Sequence, residues 1–472
     1  MKPIIIKPTA KWLMLLGLSL FTIISCQKER SSNTQQEELS ATNNSNRERG
    51  HLKQTKEYSS DVVQRWLNME LQMLRVPMDI GVSAPEAFRA IAYCGIALYE
   101  AVEPGMPAYQ AISGQLNALP SIKSTLGNDY PQPGYAYHWG ASANAALAYM
   151  NRSLFPGASA ANKTAMNDLE KELEESFALE TDAATLQRSI AFGRAVAEII
   201  FNWAKTDGTS TLPTPSTYSI PTGDGLWEKT PPKLAGPVNP FASQRRLLVN
   251  GSGDGTQLAP PPAYDVSSSS DFYAMVKDVY DRSLTLTHAD SATAIYHRDA
   301  PGYPGGGSLV AMLLQAFQQS GCKLDAAALA YAKLGLGTYD ATIIGFVKKY
   351  QVNLVRPITY IRAKMQHPLW NALFATPGHP EFPSAHAWNG GVVSVMLTSV
   401  LGENFNLTLD HYNYQPLQLP ARHYNSFDEL GKEMGDSRVL AGIHYQASCD
   451  KGFWLGKKIS NNILSKVKFL KE

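Results

Sequence analysis

Residues 349–444 contain three short motifs whose side chains suit a pocket for a tetrahedral oxyanion. They are Lys349-x6-Arg356-Pro357, Pro383-Ser384-Ala385-His386 and Ser437-Arg438-x5-His444. One lysine and two arginines supply three positive charges for an anion that carries two or three negative ones. The two histidines add nitrogens that exchange protons or form covalent bonds near neutral pH. The residue types therefore predict an oxyanion site with acid-base or nucleophilic chemistry.

The first motif predicts a cationic clamp on a helix. Lys349 and Arg356 are seven residues apart, which is close to two turns, so both would project from one face of a helix over residues 340–355. Pro357 cannot continue that helix and biases Arg356 away from the helical conformation. The planar guanidinium would then lie at the helix end and grip two anion oxygens.

The second and third motifs predict two more helices at the site. Ser384 opens an apolar run that includes residues 392–397, so the free amides and the positive dipole end of this helix would face the anion. The third helix begins at Ser426, where Ser426 and Glu429 form a predicted capping box. Arg438 and His444 would lie about 120° apart on it. They share one ligand only if Arg438 reaches round or the helix bends near Gly442.

In order and internal spacing, the three motifs resemble the pattern of the phosphatidic-acid-phosphatase and vanadium-haloperoxidase superfamily, K-x6-RP, PSGH and SR-x5-H-x3-D. Two residues depart from that pattern. Ala385 stands where the family usually has glycine, which is a mild change if this residue offers only its backbone N–H. Ser448 stands where the family usually has aspartate, with Asp450 two residues further on. The group that orients His444 is therefore left open.

The resemblance implies two chemistries for the same residues. If the pocket holds vanadate, its ligands would be Lys349, Arg356, Ser384, Ala385, Arg438 and His444. His444 would bond the metal, Lys349 would polarise bound hydrogen peroxide, and His386 would act as acid and base while halide is oxidised. In a phosphatase acting on phosphate esters, His444 would be the nucleophile and His386 would protonate the leaving alcohol. A third alternative is a lipoprotein that binds an oxyanion without catalysis.

Chain architecture favours the haloperoxidase alternative. The lipid phosphatases of this superfamily span the membrane several times and its soluble acid phosphatases are much shorter, whereas this chain places a helical half ahead of the motifs. Phe346 takes a position where haloperoxidases commonly carry tryptophan, and His379 lies seven residues before His386. Both suggest iodide or bromide rather than chloride as substrate. Asp290, Asp340 and Asp436 are further candidates to pair with the arginines.

Composition and motifs exclude several other classes. The formal net charge of +1 indicates no basic surface for nucleic acid. The sequence has no G-x-S-x-G elbow of a serine hydrolase and no H-E-x-x-H zinc motif. Hydrophobic residues make up 44% of the chain, enough for a sizeable core.

Helical periodicity dominates the body and strand signals are scarce. Apolar residues recur at three-to-four spacing in residues 60–76, 83–102, 138–154, 162–179, 181–205, 270–283, 308–320 and 325–336. We therefore predict an all-α fold of two packed helical bundles, with the site in the C-terminal one. The predicted segments are an N-terminal helical half (57–206), a Pro/Gly-rich loop (207–267) and a C-terminal phosphatase/haloperoxidase-like domain (268–472).

The N-terminus has the form of a bacterial lipoprotein signal peptide over residues 1–25. Lys2, Lys7 and Lys11 precede an apolar run that ends in Ile23-Ile24-Ser25-Cys26, and the run is short for a transmembrane helix. We expect cleavage before Cys26, lipidation of its thiol and a polar tether over residues 26–56. The predicted location is the bacterial cell envelope, anchored to a membrane by lipid, with the outer membrane favoured.

Overall fold

The structure is a computed structural model and describes residues 53–75, 84–299, 302–414 and 416–472. The predicted signal peptide, Cys26 and most of the predicted tether lie outside these residues. Thr55 falls within the last residues assigned to the tether and is fully buried, so these residues belong to the folded body. Among the described residues, no helix combines the length and apolarity needed to cross a bilayer.

Fourteen α-helices form most of the described chain. The N-terminal ones are α1 (Asp61–Leu74), α2 (Ala84–Val102), α3 (Ile122–Leu126), α4 (Trp139–Leu154), α5 (Ala160–Ala178) and α6 (Ala183–Ala204). The C-terminal ones are α7 (Asp271–Leu284), α8 (His288–Tyr296), α9 (Gly307–Ser320), α10 (Leu324–Val352), α11 (Pro357–Ala363), α12 (Ala385–Leu401), α13 (Phe427–Leu440) and α14 (Gln446–Lys466). The all-α prediction is confirmed, and each of the eight segments predicted as helical carries a helix.

Short elements complete the described part of the chain. Six 3₁₀ turns span Thr55–Glu57, Glu103–Gly105, Gly127–Asp129, Thr209–Thr211, Pro215–Thr217 and Ala242–Gln244. Two three-residue strands, β1 (Leu407–Leu409) and β2 (Arg422–Tyr424), pair antiparallel with Leu407 opposite Tyr424.

The long helix α10 joins two groups of helices. Helices α2, α4, α5 and α6 pack on one another, as do α12, α13 and α14, and α10 packs against both α2 and α12. A Cβ atom on Gly95 of α2 would lie 2.6 Å from the Tyr331 carbonyl oxygen of α10, so the absence of a side chain allows this close approach. One hydrophobic core runs through both groups.

Helix α10 differs from the prediction in length and in where it ends. Residues 325–336 and 340–355 were expected in two helices, but one helix runs over 29 residues to Val352. Asn353 then adopts a left-handed conformation at φ 52° and its N–H donates to the Lys349 carbonyl at 2.7 Å. The prediction that Arg356 shares this helix with Lys349 is wrong, because Arg356 lies past the turn as the N-cap of α11.

The third motif is divided between two helices. Arg438 lies in the last turn of α13, which ends at Leu440, and Gly442 then turns the chain at φ 76°. His444 lies after this turn, just before α14. Of the two geometries considered, the bend near Gly442 is the one observed. The predicted capping box is half wrong, because the Glu429 carboxylate accepts from the N–H of Asn425 rather than from that of Ser426.

The Pro/Gly-rich loop packs over the beginning of the site. The Trp227 N–H donates to the Asn353 carbonyl at 2.8 Å, and the Val238 N–H donates to the Gly378 carbonyl at 3.0 Å. Val238 and Asn239 of this loop line the cavity that also contains His386 and His444.

Candidate oxyanion site

A cavity of about 180 Å³ opens where α10, α12, α13 and the turn after α13 meet. The predicted residues that line it are Phe346, His379, Ala385, His386, Arg438 and His444. Lys349, Arg356 and Ser384 are fully buried, and Arg356 contacts two of the lining residues, His379 and His444. The structure therefore brings all three motifs together, although they span almost a hundred residues of chain.

His444 presents an unprotonated nitrogen at this site. Its Nδ1 donates to Glu381 Oε1 at 2.7 Å, and its Nε2 accepts from Arg356 Nη1 at 3.2 Å. Burial holds the pKa of His444 well below its usual value, and the positive charges of Arg356 and Lys349 lower the pKa further. The imidazole is therefore neutral at neutral pH and its Nε2 carries a lone pair.

Arg356 is held largely by the protein itself. Its Nε and Nη2 both donate to the His379 carbonyl, at 3.0 and 2.9 Å, and Nη1 donates to the Ile443 carbonyl at 2.8 Å. Nη2 also donates to His379 Nδ1 at 3.0 Å. Burial lowers the pKa of Arg356 to about 10, so the group stays cationic at neutral pH. We expected the guanidinium of Arg356 to be free to grip two oxygens of an anion. Instead, bonds to backbone carbonyls fix it, and its Nη1 also contacts His444.

Lys349 is a buried basic group that has one donor to spare in its charged form. Its Nζ donates to the carbonyls of Pro380 and Glu381, both at 2.9 Å, and lies 5.6 Å from the ring centroid of Trp388. An ammonium group has three N–H donors, so one remains for a ligand. Burial, followed by the charge of Arg356, holds the pKa of Lys349 well below its usual value. A bound anion would raise that pKa again and favour the charged form.

Arg438 and the start of α12 complete the donor set. Arg438 Nη2 donates to the His297 carbonyl at 2.6 Å and its Nε to Ser437 Oγ at 3.0 Å. Burial lowers the pKa of Arg438 to about 10. Ser384, the N-cap of α12, makes no side-chain cap bond, and its buried Oγ has no hydrogen-bond partner of ordinary geometry among the described residues, although the Cys449 thiol lies near it.

These features fit a tetrahedral oxyanion. An orphaned buried hydroxyl at the N-cap, the free amides of a 17-residue helix and three buried cations all favour a negatively charged, oxygen-rich ligand. The unprotonated Nε2 of His444 adds a nitrogen that can bond the central atom of such an ion.

His386 is paired with a residue that the sequence did not single out. Its Nε2 lies 2.9 Å from Asp299 Oδ2, and Asp299 adopts an unusual φ of 69°. Burial lowers the pKa of His386, the charge of Arg438 lowers it further, and Asp299 opposes both effects. Asp299 lies 87 residues before His386 in a loop, where no periodicity marks it.

The three aspartates expected near the arginines have other partners. Asp340 is fully buried and accepts from the backbone N–H groups of Leu248 and Val249 at 2.7 and 3.1 Å. Asp290 caps the start of α8, and Asp436 accepts from the side chain of Gln446. Within the described residues, none of the three bonds to Arg356 or Arg438.

Phe346 and His379 form one wall of the cavity. Their rings meet edge to face with centroids 5.3 Å apart, and Phe346 also meets Trp388 at 5.7 Å. Burial and the neighbouring cations hold the pKa of His379 well below its usual value. Because its carbonyl accepts from Arg356, His379 both contacts the cavity and helps to fix the arginine.

Glu381 is the group that bonds to His444 Nδ1 in this chain, where Ser448 stands in place of the family's usual aspartate. Its carboxylate is fully buried and accepts from His444 Nδ1, from the Tyr445 N–H at 2.9 Å and from Ser448 Oγ at 2.5 Å. Sequence reasoning missed Glu381, because a glutamate between two prolines in a loop carries no signal of a distant partner.

Comparison with known proteins places these observations in a family context. Residues 330–472 match the family model for the VCPO second helical-bundle domain. The chain is similar to a solved structure described as the first bacterial vanadium-dependent iodoperoxidase, with 26% identity and a TM-score of 0.76 over 88% of this chain and 98% of that chain. No curated protein sequence matches the chain.

Two further solved structures share the fold at lower identity. They are the apo and holo forms of a bacterial vanadium-dependent chloroperoxidase, each 15% identical with a TM-score of 0.61. The apo form covers 80% of this chain and 93% of its own, and the holo form covers 84% and 95%. The predicted resemblance to the vanadium-haloperoxidase superfamily is confirmed, and the likeness supports a haloperoxidase-type enzyme.

Proposed function

We propose that this chain, with the fold and the C-terminal sequence of the vanadium-haloperoxidase superfamily, is a vanadate-dependent peroxidase that oxidises iodide or bromide with hydrogen peroxide. The observation that carries the proposal is the state of His444. Its Nδ1–H is bound to Glu381, so an unprotonated Nε2 stands among buried cations at the beginning of a helix. An anionic centre that takes a nitrogen ligand fits this arrangement better than a weakly held spectator ion.

The residues proposed to hold vanadate are Lys349, Arg356, Ser384, Ala385, Arg438 and His444. When bound, vanadate would activate hydrogen peroxide for oxygen transfer to halide. His444 would supply the metal ligand through Nε2, and Lys349 would donate its remaining N–H to an oxygen in the pocket. Arg356 and Arg438 would balance the charge, Ser384 would offer its hydroxyl, and Ala385 would offer its backbone N–H.

We propose that His386 is the general acid and base of the reaction. It lines the cavity, and its Nε2 is tied to Asp299 at 2.9 Å. Its pKa is lowered by burial, so the imidazole is neutral at neutral pH and can accept a proton from a bound substrate. Asp299 then stabilises the imidazolium that forms.

The proposed halide preference follows from the walls of the cavity. Besides Phe346, the apolar side chains of Leu309, Met434 and Ile443 line it. The cost of moving an ion from water into such a setting falls as the ionic radius grows, so iodide and then bromide are favoured over chloride. The similarity to a bacterial iodoperoxidase supports the same order.

The test is a pair of assays on the full chain. With orthovanadate and hydrogen peroxide, we expect oxidation of iodide faster than bromide and little oxidation of chloride, measured by triiodide absorbance and by bromination of a dye. His444→Ala should abolish this activity, whereas His288→Ala, which alters an exposed histidine on α8, should not.

The second assay separates the phosphatase alternative. An aryl phosphate is supplied without vanadate, and turnover there that vanadate inhibits, without vanadate-dependent peroxidase activity, would overturn the proposal. Inactivity in both assays with measurable vanadate affinity would leave an oxyanion-binding protein.

A further inference from the structure

We propose that Glu381, assisted by Ser448, is the positioning residue that fixes both the tautomer and the orientation of His444. The part of this inference that concerns vanadate rests on the proposed function, whereas the part that concerns the imidazole stands on the protein alone. Glu381 occupies no position in the three motifs and comes from the loop that leads into α12.

The hydrogen bonds determine which nitrogen of His444 carries the proton. The Tyr445 N–H can only donate, and it donates to Glu381 Oε1 at 2.9 Å. The same oxygen lies 2.7 Å from His444 Nδ1, and Ser448 Oγ donates to the other oxygen at 2.5 Å. A carboxylate that receives the Tyr445 and Ser448 donors on its two oxygens offers only an acceptor to Nδ1, so Nδ1 bears the hydrogen and Nε2 is left with its lone pair.

Because both partners are buried, the hydrogen bond between Glu381 and His444 Nδ1 has a large influence on the tautomer of His444. Glu381 has no exposed surface and His444 is 2% exposed, so bulk water does not compete for Nδ1. Without Glu381, no other described residue accepts from that nitrogen. Among the described residues, Arg356 Nη1, which donates to Nε2 at 3.2 Å, would then be the one group that still favours the lone pair on Nε2, so the preference for this tautomer weakens.

Glu381 also connects the other two motifs. Its backbone carbonyl accepts from Lys349 Nζ at 2.9 Å, and its own N–H donates to the Leu354 carbonyl at 3.0 Å. Ser448 is held in turn, because its carbonyl accepts from the N–H of Ser384 at 3.0 Å. A single residue thus fixes the lysine through its backbone and the histidine through its side chain.

Charge and geometry predict opposite effects of removing this carboxylate. By charge alone, loss of a buried negative group next to Lys349 and Arg356 would strengthen the binding of any anion. If Glu381 acts by orienting His444, its loss weakens only an anion that bonds to Nε2. Outer partners of metal-binding histidines typically contribute about 10- to 100-fold in affinity.

The experiment uses the full chain purified without vanadate. The variants are Glu381→Ala, the isosteric Glu381→Gln, Ser448→Ala, and Glu381→Ala combined with Ser448→Asp. The tautomer of His444 is read from ¹⁵N chemical shifts of labelled histidine, and the binding of orthovanadate and of inorganic phosphate is measured by calorimetry. Neither readout depends on enzymatic turnover.

We expect a protonated Nδ1 and a bare Nε2 in the parent protein and in Ser448→Ala. Glu381→Ala should shift the tautomer and weaken orthovanadate binding by about 10- to 100-fold while phosphate binding is unchanged or stronger. The amide oxygen that Glu381→Gln introduces can still accept from Nδ1, so this variant should preserve the tautomer. The double variant should recover much of the vanadate affinity, because residue 448 borders the space that the glutamate leaves.

Unchanged tautomer and unchanged vanadate affinity in Glu381→Ala would overturn the inference, as would an equal loss of vanadate and phosphate binding. If Glu381→Ala does not fold, Glu381→Leu, which fills the space but also removes the acceptor from Nδ1, carries the same comparison. A parent protein that shows the tautomer shift on substitution but binds no vanadate would contradict the proposed function and leave the positioning role intact.

Discussion

At the scale of single residues, burial rather than net charge governs the chemistry of the site. The pKa values of His379, His386 and His444 are all lowered, with burial as the first cause in each case. Three neutral imidazoles therefore stand near the guanidinium groups of Arg356 and Arg438 and near the Lys349 amine, whose pKa is lowered by the same burial. An oxyanion relieves the unfavourable proximity of the cations, whereas a neutral ligand does not.

Asp299→Asn should lower the pKa of His386 further. The carboxylate of Asp299 favours the protonated imidazole, so removing its charge while keeping its shape removes the main influence that raises this pKa. His386 would then stay neutral to a lower pH, and the acid limb of the pH–rate profile should move to lower pH. Histidine resonances followed through an NMR titration measure the shift directly.

The control for this prediction is Asp168→Asn, which removes an exposed carboxylate on α5. It should leave the His386 titration where it is. A His386 pKa that is unchanged or higher in Asp299→Asn would contradict the assigned pairing.

At the scale of elements, close helix packing sets the position of the second motif. A Cβ atom on Gly390 of α12 would lie 2.1 Å from the Gly431 carbonyl oxygen of α13. A Cβ atom on Gly452 of α14 would lie 2.5 Å from the carbonyl oxygen of Ser384. Glycine at these positions lets three helices converge, which brings the beginning of α12 against the turn that carries His444.

Gly452→Ala should therefore damage both stability and anion binding. The added methyl group must displace the Ser384 backbone or the nearby Ala387 side chain, and overpacking of this kind typically costs about 1–3 kcal/mol of unfolding free energy. Urea unfolding and calorimetric binding of phosphate measure the two effects.

Gly253→Ala is the matched control. A Cβ atom there would come closest to Ile344 Cδ1, at 3.4 Å, which is ordinary contact. Equal stability and equal phosphate affinity in the two variants would show that the convergence at Ser384 tolerates a side chain.

At the scale of the whole molecule, the last residues of the chain tie the C-terminal bundle to the N-terminal half. Phe469 is 6% exposed and meets the Tyr99 ring edge to face at 5.4 Å. Its carbonyl accepts from the N–H of Gln110 at 2.9 Å. The two helix groups are therefore joined at the chain end as well as along α10.

Phe469→Ala should lower the free energy of unfolding by about 3–5 kcal/mol, as is usual for removing a buried phenylalanine ring. Leu470→Ala should stay within about 0.5 kcal/mol, because Leu470 is 59% exposed. Denaturant unfolding followed by circular dichroism compares them. A loss in Phe469→Ala as small as that expected for Leu470→Ala would mean that the tail contributes through its backbone alone.

We propose that residues 1–25 are a lipoprotein leader and that a lipidated Cys26 anchors the protein in the bacterial cell envelope. Cys26→Ala should abolish incorporation of labelled fatty acid and release the protein from the membrane fraction. Cys322→Ala, a cysteine substitution in the folded body, should leave both unchanged. Unaltered membrane partition in Cys26→Ala would remove the claim.

The sequence by itself determined most of the longer helices and the set of motif residues, because both are encoded locally. Apolar spacing marks a helix within a dozen residues, and Lys349, Arg356, Ser384, His386, Arg438 and His444 are recognised by residue type and short spacing. The resemblance to the superfamily and the all-α class followed from these signals. Gly442 likewise indicated where the third motif could bend, whereas Pro357 begins α11 rather than ending α10.

Only the tertiary structure decided what orients these residues. Glu381 reaches His444 across 63 residues and Asp299 reaches His386 across 87. Neither pair has a periodic spacing, because each joins a loop residue to a distant motif. The placement of Arg356 beyond α10 depended in the same way on a left-handed Asn353. Such contacts arise when buried polar groups must find partners inside a folded core, and that requirement acts through space rather than along the chain.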